Sequence, residues 1–476
     1  MISLRYSSLA LLLMLAGCVS GPDHVPPQMP LPAKFTEGGA KSNNDVSTTR
    51  WWTAYRDKQL DSLVARGLSR NLDVQQALEE INQASANVVT AGAGGLPSLD
   101  LSASHTVSGE KGSLRTTTGT TNTTTGEASA SWLLDLFGRY RRATESARAA
   151  LDAAYASADD EKLSVMKDIV SSYIDARYYQ ERIALSNANL KSRLETYDLT
   201  KQQSSAGAAS RLDVVQAEGL VQSTRSEIPG LENSFNSEVH HIATLLNMPA
   251  STMKAELRKD AAQPVFNGTI QAGVPADLIR NRPDIRKAER ELAEAVANIG
   301  VAEAKLYPSI SLSGSISPSR VGSTASNAGS LTSWSFGPTL DLPIFDGGSL
   351  RADVDSARSK AKTAYLAWKD TVNSAAEDVE NALSAIHRDA EAEAALRNQV
   401  KTAQESLRLS TMSYKDGASS LLDVLTSQRD VSDAQASLAE AIQTLAKDYV
   451  DLHVAIGAGY RSQEATLNSA APAATP

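Results

Sequence analysis

Two aspartates stand out because each lies at the same distance from a glycine that interrupts a long helical pattern. Asp213 and Asp423 follow Gly207 and Gly417 by six residues, in the sequences Ser-Arg-Leu-Asp and Ser-Leu-Leu-Asp. A serine followed three residues later by an acid is the capping-box pattern, in which both side chains satisfy free N–H groups at the start of a helix. The sequence therefore predicts two tight turns, each followed by a capped helix.

The only cysteine, Cys18, ends a segment that reads as a leader. Arg5 supplies a positive charge, residues 9–16 are apolar, and the residues up to Cys18 read Leu-Ala-Gly-Cys. This is the pattern of a secretory signal cleaved before Cys18. It resembles the bacterial lipobox, in which the cysteine becomes the lipidated first residue. Because Val19 and Ser20 follow in place of aspartate, the resemblance implies the outer membrane. A cleavage site that merely lies near a cysteine is the alternative.

Composition narrows the classes of function. The formal net charge of −9 argues against a nucleic-acid partner. One cysteine allows neither a disulfide within the chain nor a cysteine-based zinc site. His240 and His241 are adjacent, but neighbours on a helix point about 100° apart, so a shared metal is not expected. The sequence shows no phosphate-binding loop or nucleophile elbow. We expect no enzyme, no metal and no cofactor beyond a covalent lipid on Cys18.

The elements that position the two aspartates are very long helices. From Trp368 to Tyr414 the apolar residues alternate three and four positions apart, and this spacing resumes from Val431 to Ile456. Such spacing is typical of a coiled-coil seam. The arm before Gly417 has about 70 residues, which corresponds to about 100 Å of helix. Helical spacing also covers three other stretches, 60–89, 138–205 and 211–247, the last kinked or interrupted at Pro229.

Two segments alternate between apolar and polar residues and predict β-hairpins, at 97–136 and 308–345. In the first, two strands of about ten residues flank a loop rich in Gly, Ser and Thr at 108–125. Strands of this kind are typical of a membrane barrel, although a soluble hairpin with one face on a core alternates in the same way. The mature chain has no apolar run long enough for a membrane-spanning helix, so any crossing must use strands.

The two halves of the chain are copies of each other. Residues 96–99 recur as 307–310, a shift of 211, and Gly207 with Asp213 recurs with a shift of 210. A nearly constant shift indicates an internal duplication. The predicted order is a signal peptide (1–17), a lipidated extended arm (18–50), a first repeat (51–248), a linking region (249–274), a second repeat (275–460) and a disordered tail (461–476). The first repeat contains a helix, the β-hairpin 97–136 and the helical hairpin 138–247. The second contains a helix, the β-hairpin 308–345 and the helical hairpin 346–456.

Four strands per chain cannot close a barrel, and an open sheet edge in lipid would leave unpaired backbone groups. Two chains would give eight strands with a filled interior, whereas three would give twelve strands and a lumen. The serine- and threonine-rich inner faces favour water, and therefore three chains. The predicted fold class is an internally duplicated α+β membrane protein. Its homotrimer forms a 12-stranded β-barrel that continues into a barrel of long coiled-coil helices.

These residues resemble the outer-membrane factors, the TolC-like and OprM-like exit ducts of efflux pumps, and particularly their lipoprotein branch. The resemblance runs from about Trp51 to Tyr460 and includes Arg-Pro-Asp-Ile at 282–285, Tyr307-Pro308 and the segment 414–429. It implies a trimer with an outer-membrane barrel and a periplasmic helical tunnel. It also implies docking to a periplasmic adaptor and an inner-membrane transporter, in contact with outer-membrane lipid.

The resemblance further implies a gate at the periplasmic tip. Asp213 and Asp423 would face the lumen there, and three chains would turn each into a ring of carboxylates that binds and selects cations. Tyr414 matches a tyrosine that helps to latch the tip. Ser419 and Thr426 depart from the TolC pattern, which has an arginine and a second acid at these positions. The closed state would then depend on three apolar residues, Leu421, Leu422 and Leu425.

Two other functions stay open. A duct for type I protein secretion would have the same architecture, and the lipobox and the Arg-Pro-Asp-Ile element favour efflux of small molecules over it. The second alternative is a lipid-anchored periplasmic coiled-coil scaffold or adaptor whose hairpins are soluble. Adaptors usually carry one helical hairpin, whereas this chain carries two in tandem.

Overall fold

The structure is a computed structural model that describes residues 19–29, 35–36, 50–110, 119–259, 261–266, 282–323 and 329–459. Cys18, the signal peptide and the predicted tail lie outside these residues. After a short 3₁₀ helix at Trp51–Tyr55, the elements are α1 Lys58–Arg70, α2 Leu72–Ala93, β1 Ser98–Glu110, β2 Gly119–Leu134, α3 Arg139–Ser205, α4 Arg211–Leu245, α5 Ala250–Leu257, α6 Pro283–Ala304, β3 Ser309–Ser323, β4 Gly329–Asp341, α7 Ser349–Lys415 and α8 Leu421–Ala455.

The chain divides into two compact units. The first comprises residues 1–28, 80–154 and 287–369 and contains the sheet, and the second comprises residues 29–79, 155–286 and 370–476. Each unit therefore draws segments from both repeats.

The helix predicted at 60–89 is two helices, α1 and α2, because Asn71 starts a new one. Asn71 has an extended backbone, with ψ 137°, and its Oδ1 accepts from the N–H groups of Asp73 at 2.8 Å and Val74 at 3.1 Å. Its amide Nδ2 also donates to the Leu245 carbonyl at 3.1 Å. The buried Asn71 side chain thus caps α2 and ties it to the end of α4.

Two details of the helices add to the sequence prediction. The helix α4 continues through Pro229, so the proline removes one backbone donor without interrupting the helix. The predicted linking region contains α5, and the residues from 267 to 274 lie outside the described part of the chain.

The four strands form one antiparallel sheet in the order β1-β2-β3-β4. Leu99 pairs with Ala130 and Leu134 pairs with Ile310, so the second hairpin continues the sheet of the first. The strands are longer than predicted, because much of the polar stretch assigned to a loop at 108–125 belongs to β1 and β2. Its threonines are β-branched and suit a strand as well as apolar residues do.

The apolar face of the sheet is exposed within one chain. Leu99 is 79% exposed, Leu101 84% and Trp334 78%. In the described residues, β1 and β4 each pair with a neighbour on one side only. A polypeptide with this face and these edges is stable only in a non-aqueous or assembled environment.

The second unit has an aromatic core. The Trp51 ring stacks on His453 at 5.1 Å between centroids, and the Trp51 indole N–H donates to the Ala458 carbonyl at 3.2 Å. The hydroxyl of Tyr55 donates to the Ala446 carbonyl at 2.6 Å. Burial lowers the pKa of His453 to about 4, so its imidazole is neutral in the folded protein.

Acid should therefore destabilise the second unit through His453. The folded state binds fewer protons than the unfolded state between the ordinary histidine pKa of about 6.5 and the folded value of about 4, so stability falls as the pH drops through this window. At pH 5 the expected loss is about 2 kcal/mol relative to pH 8. Urea unfolding at both pH values, compared between the natural protein and His453→Gln, measures it. Equal pH dependence in the two proteins would contradict the assignment.

Candidate channel tip

Two helical turns with the same geometry lie in the second unit. Gly207 and Gly417 have φ of +75° and +72°, in the left-handed region that favours glycine. After α3, the Ala208 N–H donates to the Gln203 carbonyl at 2.8 Å, and after α7, the Ala418 N–H donates to the Ser413 carbonyl at 2.9 Å. Both helices thus end with the bond pattern that a C-terminal glycine makes possible.

Both predicted capping boxes are present. The Asp213 carboxylate accepts from the Ser210 N–H at 2.8 Å, and the Asp423 carboxylate accepts from the Ser420 N–H at 3.0 Å. In return each serine hydroxyl accepts from the backbone N–H of its aspartate. The two aspartates therefore stabilise the starts of α4 and α8. Asp423 is exposed and Asp213 half-buried, so both also present charge at the surface of the turn.

An apolar cluster joins the two turns. Its buried members come from both repeats, and two tyrosines pack against them: Ala217, Leu220, Leu421 and Leu425, with Tyr197 and Tyr414. Leu422 is 55% exposed and lies outside the cluster within one chain, because consecutive residues on a helix point about 100° apart. Of the three predicted leucines, two hold the hairpins together and the third faces outward.

Tyr414 links the repeats by a hydrogen bond as well as by packing. Its hydroxyl donates to Gln203 Oε1 at 2.5 Å, between the last turns of α7 and α3. Burial, together with the charge of Asp213, raises the pKa of Tyr414, so the hydroxyl stays protonated and remains a donor. Ser419, at the position of the missing arginine, donates to the Ser410 carbonyl at 3.4 Å.

Sequence reasoning missed a polar seam between α3 and α8. Gln428 donates to the Thr196 hydroxyl at 2.8 Å, and Asn189 donates to Ser432 and Gln435 at 3.3 Å each. A signal was present, because polar residues interrupt an otherwise apolar spacing along both helices. Polar groups at seam positions fix the register of coiled coils at a cost in stability.

A buried cation inside the first helical hairpin was missed too. Arg193 on α3 is 5% exposed and donates to the Thr224 hydroxyl on α4. The repeat shift of 210 places Ala403 and Ala434 at the corresponding positions of the second hairpin. The two hairpins therefore share their turns and differ in their interiors.

The histidine pair at 240–241 gains no support as a metal site. Across the described ranges, no three or more side chains of His, Cys, Asp and Glu come together as ligands for a metal ion. Nor does any helix there have the length and apolar character needed to cross a membrane.

Comparison with known proteins decides the family. A sequence model of outer membrane efflux proteins matches the chain twice, at residues 63–248 and 274–458. The chain belongs to the outer membrane efflux protein family. The two matches coincide with the two repeats, so the internal duplication and the predicted resemblance are both confirmed. As a member of this family it is an outer-membrane protein that extends into the periplasm.

Relatives in this family cover almost the whole chain. Nodulation protein T of Rhizobium leguminosarum bv. trifolii is 61% identical over 96% of this chain and 97% of its own. The toluene efflux pump outer membrane protein TtgC of Pseudomonas putida is 31% identical over 97% of each chain.

Solved structures of outer-membrane channels superpose on this one. OprN has a TM-score of 0.83 at 29% identity, over 93% of this chain and 99% of OprN. The open state of MtrE from Neisseria gonorrhoeae has a TM-score of 0.78 at 28% identity, over 93% of this chain and 98% of MtrE. The α+β fold predicted from the sequence is confirmed.

Alanine at Gly417 should weaken the tip, whereas alanine at Gly219 should not. A side chain would meet no other atom at either position. Gly417→Ala should therefore lower the free energy of unfolding only by the cost of holding alanine at a positive φ, about 1 kcal/mol. Gly219 is an exposed interior residue of α4, and alanine there should stabilise by about 0.5–1 kcal/mol. Amide exchange at the tip measures both. Equal effects of the same sign would contradict this account of the turn.

Proposed function

We propose that the protein is the passive exit duct of an efflux system, formed by three copies of this chain. The observation that carries the proposal is the sheet, whose apolar face is exposed and whose outer strands β1 and β4 each have a free edge in the described part of the chain. Three copies would place twelve strands in one closed barrel with apolar residues toward lipid and serines toward a water-filled lumen. The α-helices of the same chains would form the periplasmic tunnel.

A passive duct needs partners that drive transport through it. We propose a periplasmic adaptor that binds the helical hairpins and an inner-membrane transporter that delivers cargo to the tip. Relatives in the family are named as pump outer membrane proteins, which supports this assignment.

The proposed gate is the pair of turns. Asp423 lies on the exposed side of its turn, and threefold symmetry would bring three copies of it together around the lumen. The contacts that would hold the closed state are the bond from Tyr414 to Gln203 and the cluster around Leu421 and Leu425. Opening would separate the hairpins like an iris once adaptor and transporter engage the tip.

Charge and cap at Asp423 can be separated experimentally. Asp423→Asn removes the charge that would attract cations, so it should weaken block by divalent cations or raise single-channel conductance in planar bilayers. Ser420→Ala keeps the charge of Asp423 and removes the two bonds between the serine hydroxyl and Asp423, at a cost of about 1 kcal/mol in stability, so it should leave block unchanged. If both variants behave like the natural protein, Asp423 serves only as a cap.

Small molecules are the cargo that the proposal favours. The pump components at about 31% identity are named for toluene and antibiotic efflux, whereas the relatives at 61% and 57% identity are named for nodulation. These names support a second candidate, export of a product that acts in nodulation. Type I protein secretion is a further alternative with the same architecture.

Growth and symbiosis assays separate the candidates. Efflux of toxic compounds predicts that deleting the gene increases sensitivity to solvents or antibiotics, and that expressing the protein restores resistance. Export for nodulation predicts unchanged sensitivity, and restored nodulation when the protein replaces Nodulation protein T in Rhizobium leguminosarum. Loss of a secreted protein from the medium, with neither of these effects, would indicate type I secretion.

A further inference from the structure

The segment that directly follows Cys18 has no regular secondary structure and is part of the first unit. The Ser20 N–H donates to the Phe137 carbonyl at 3.1 Å, immediately before α3 begins. Val19 lies against Gly138, where a Cβ in place of the glycine hydrogen would lie 3.1 Å from the Val19 Cα. The start of the mature chain is thus held at the junction between β2 and α3.

Arg142 holds the next residues. Its Nε donates to the Ser20 carbonyl at 3.0 Å, and its Nη2 donates to the Gly21 carbonyl at 3.1 Å and to Asp23 at 2.7 Å. The remaining bond goes from Nη1 to Glu145 at 2.7 Å. The Arg142 side chain is only 4% exposed. Three of these four acceptors belong to the segment, so the segment supplies most of the bonds that satisfy a guanidinium shielded from water.

The second repeat holds the other end of the segment. Gly21 has φ +85° and crosses Gly300 of α6 so closely that a side chain on Gly21 would collide with the Gly300 Cα. His24 Nε2 lies 2.6 Å from the Glu289 carboxylate, also on α6. Bonds to Arg290 and His24 outweigh the effect of burial and lower the pKa of Glu289, so it is charged when it meets His24.

The duplication shows that these contacts are specific to the N-terminus. At the repeat shifts of 210 and 211, the counterparts of Arg142, Gly300 and Glu289 are Ala352, Val89 and Leu78. None of these can donate two bonds to carbonyls, permit a close backbone crossing or pair with a histidine. The chain has two copies of the framework and only one N-terminus, and only one copy carries the residues that bind it.

The direction of the segment relates it to the membrane. Val19 lies at Gly138, next to the sheet, and His24 lies at Glu289, eleven residues before Gly300 on α6, which is about 16 Å of helix. The segment therefore runs away from the sheet, and Cys18 precedes its sheet-proximal end. Acyl chains on Cys18 would start where the proposed barrel meets the periplasm.

We propose that Val19–His24 is a docking strap whose receptor is formed by Arg142, Glu289 and Gly300, and that this receptor fixes where the lipid leaves the protein. The strap binds residues of both repeats, so it also ties α3 to α6 in the first unit. The placement beside the membrane rests on the proposed duct, whereas the docking itself does not. Arg142 acts as a positioning residue for the lipidated end of the chain.

Hydrogen exchange on the full-length mature protein in detergent tests the strap. The Ser20 amide, which donates to the Phe137 carbonyl, should be protected in the natural protein, and Arg142→Ala should increase its exchange by about tenfold or more. Arg148→Ala is the matched control, because Arg148 is an exposed arginine on the same helix that makes none of the strap contacts. Equal exchange in Arg142→Ala and Arg148→Ala would overturn the proposal.

A change on the strap itself keeps the test independent of folding. Gly21→Ala leaves α3 and α6 untouched, but its side chain would collide with Gly300, so it should release the strap to the same extent as Arg142→Ala. Protection that persists in Gly21→Ala would contradict the docking geometry. Conductance of the natural protein separates the two proposals. If the protein conducts but the Ser20 amide of the strap exchanges freely, the strap proposal alone is overturned. If the strap is protected but the trimer does not conduct, the duct proposal alone is overturned.

Discussion

The sheet, with its unpaired edges and exposed apolar face, is the constraint on which the rest of the structure depends. Within the described residues, one chain builds four strands with an apolar face turned outward and with an unpaired edge on β1 and on β4. Backbone groups left unpaired in lipid cost several kcal/mol each, so this sheet cannot enter a membrane alone. Closure by further copies of the chain removes both edges at once. The proposed duct, with its lumen and its gate, depends on that closure.

Internal duplication gives the chain two copies of each turn and hairpin, and sequence differences between the copies give the two repeats different contacts. The turns at Gly207 and Gly417 have nearly the same backbone and the same capping box, so the two helical hairpins share one type of turn. The interiors differ, with Arg193 buried in one helical hairpin and Ala403 at its counterpart. The strap receptor differs in the same way, since Arg142 has only Ala352 as its counterpart.

Local patterns predicted most of the fold, and long-range contacts account for what was missed. The capping boxes at Asp213 and Asp423 and the turn glycines could be read directly, because each depends on residues a few positions apart. The break at Asn71 was missed although its cap on Asp73 and Val74 is local, whereas its bond to the distant Leu245 carbonyl has no local signature. Arg142 has no local signature for the strap either, because its strap partners lie more than 100 residues earlier in the chain. Strand lengths were underestimated where threonines replace apolar residues.

Closure by three copies is the central claim, and native mass spectrometry of the detergent-extracted protein tests it most directly. Three chains give a lumen, two would give a barrel filled by side chains, and one would leave both sheet edges open. Closure by three copies predicts a single dominant species with the mass of three mature chains. A stable monomer or dimer as the dominant species would contradict it.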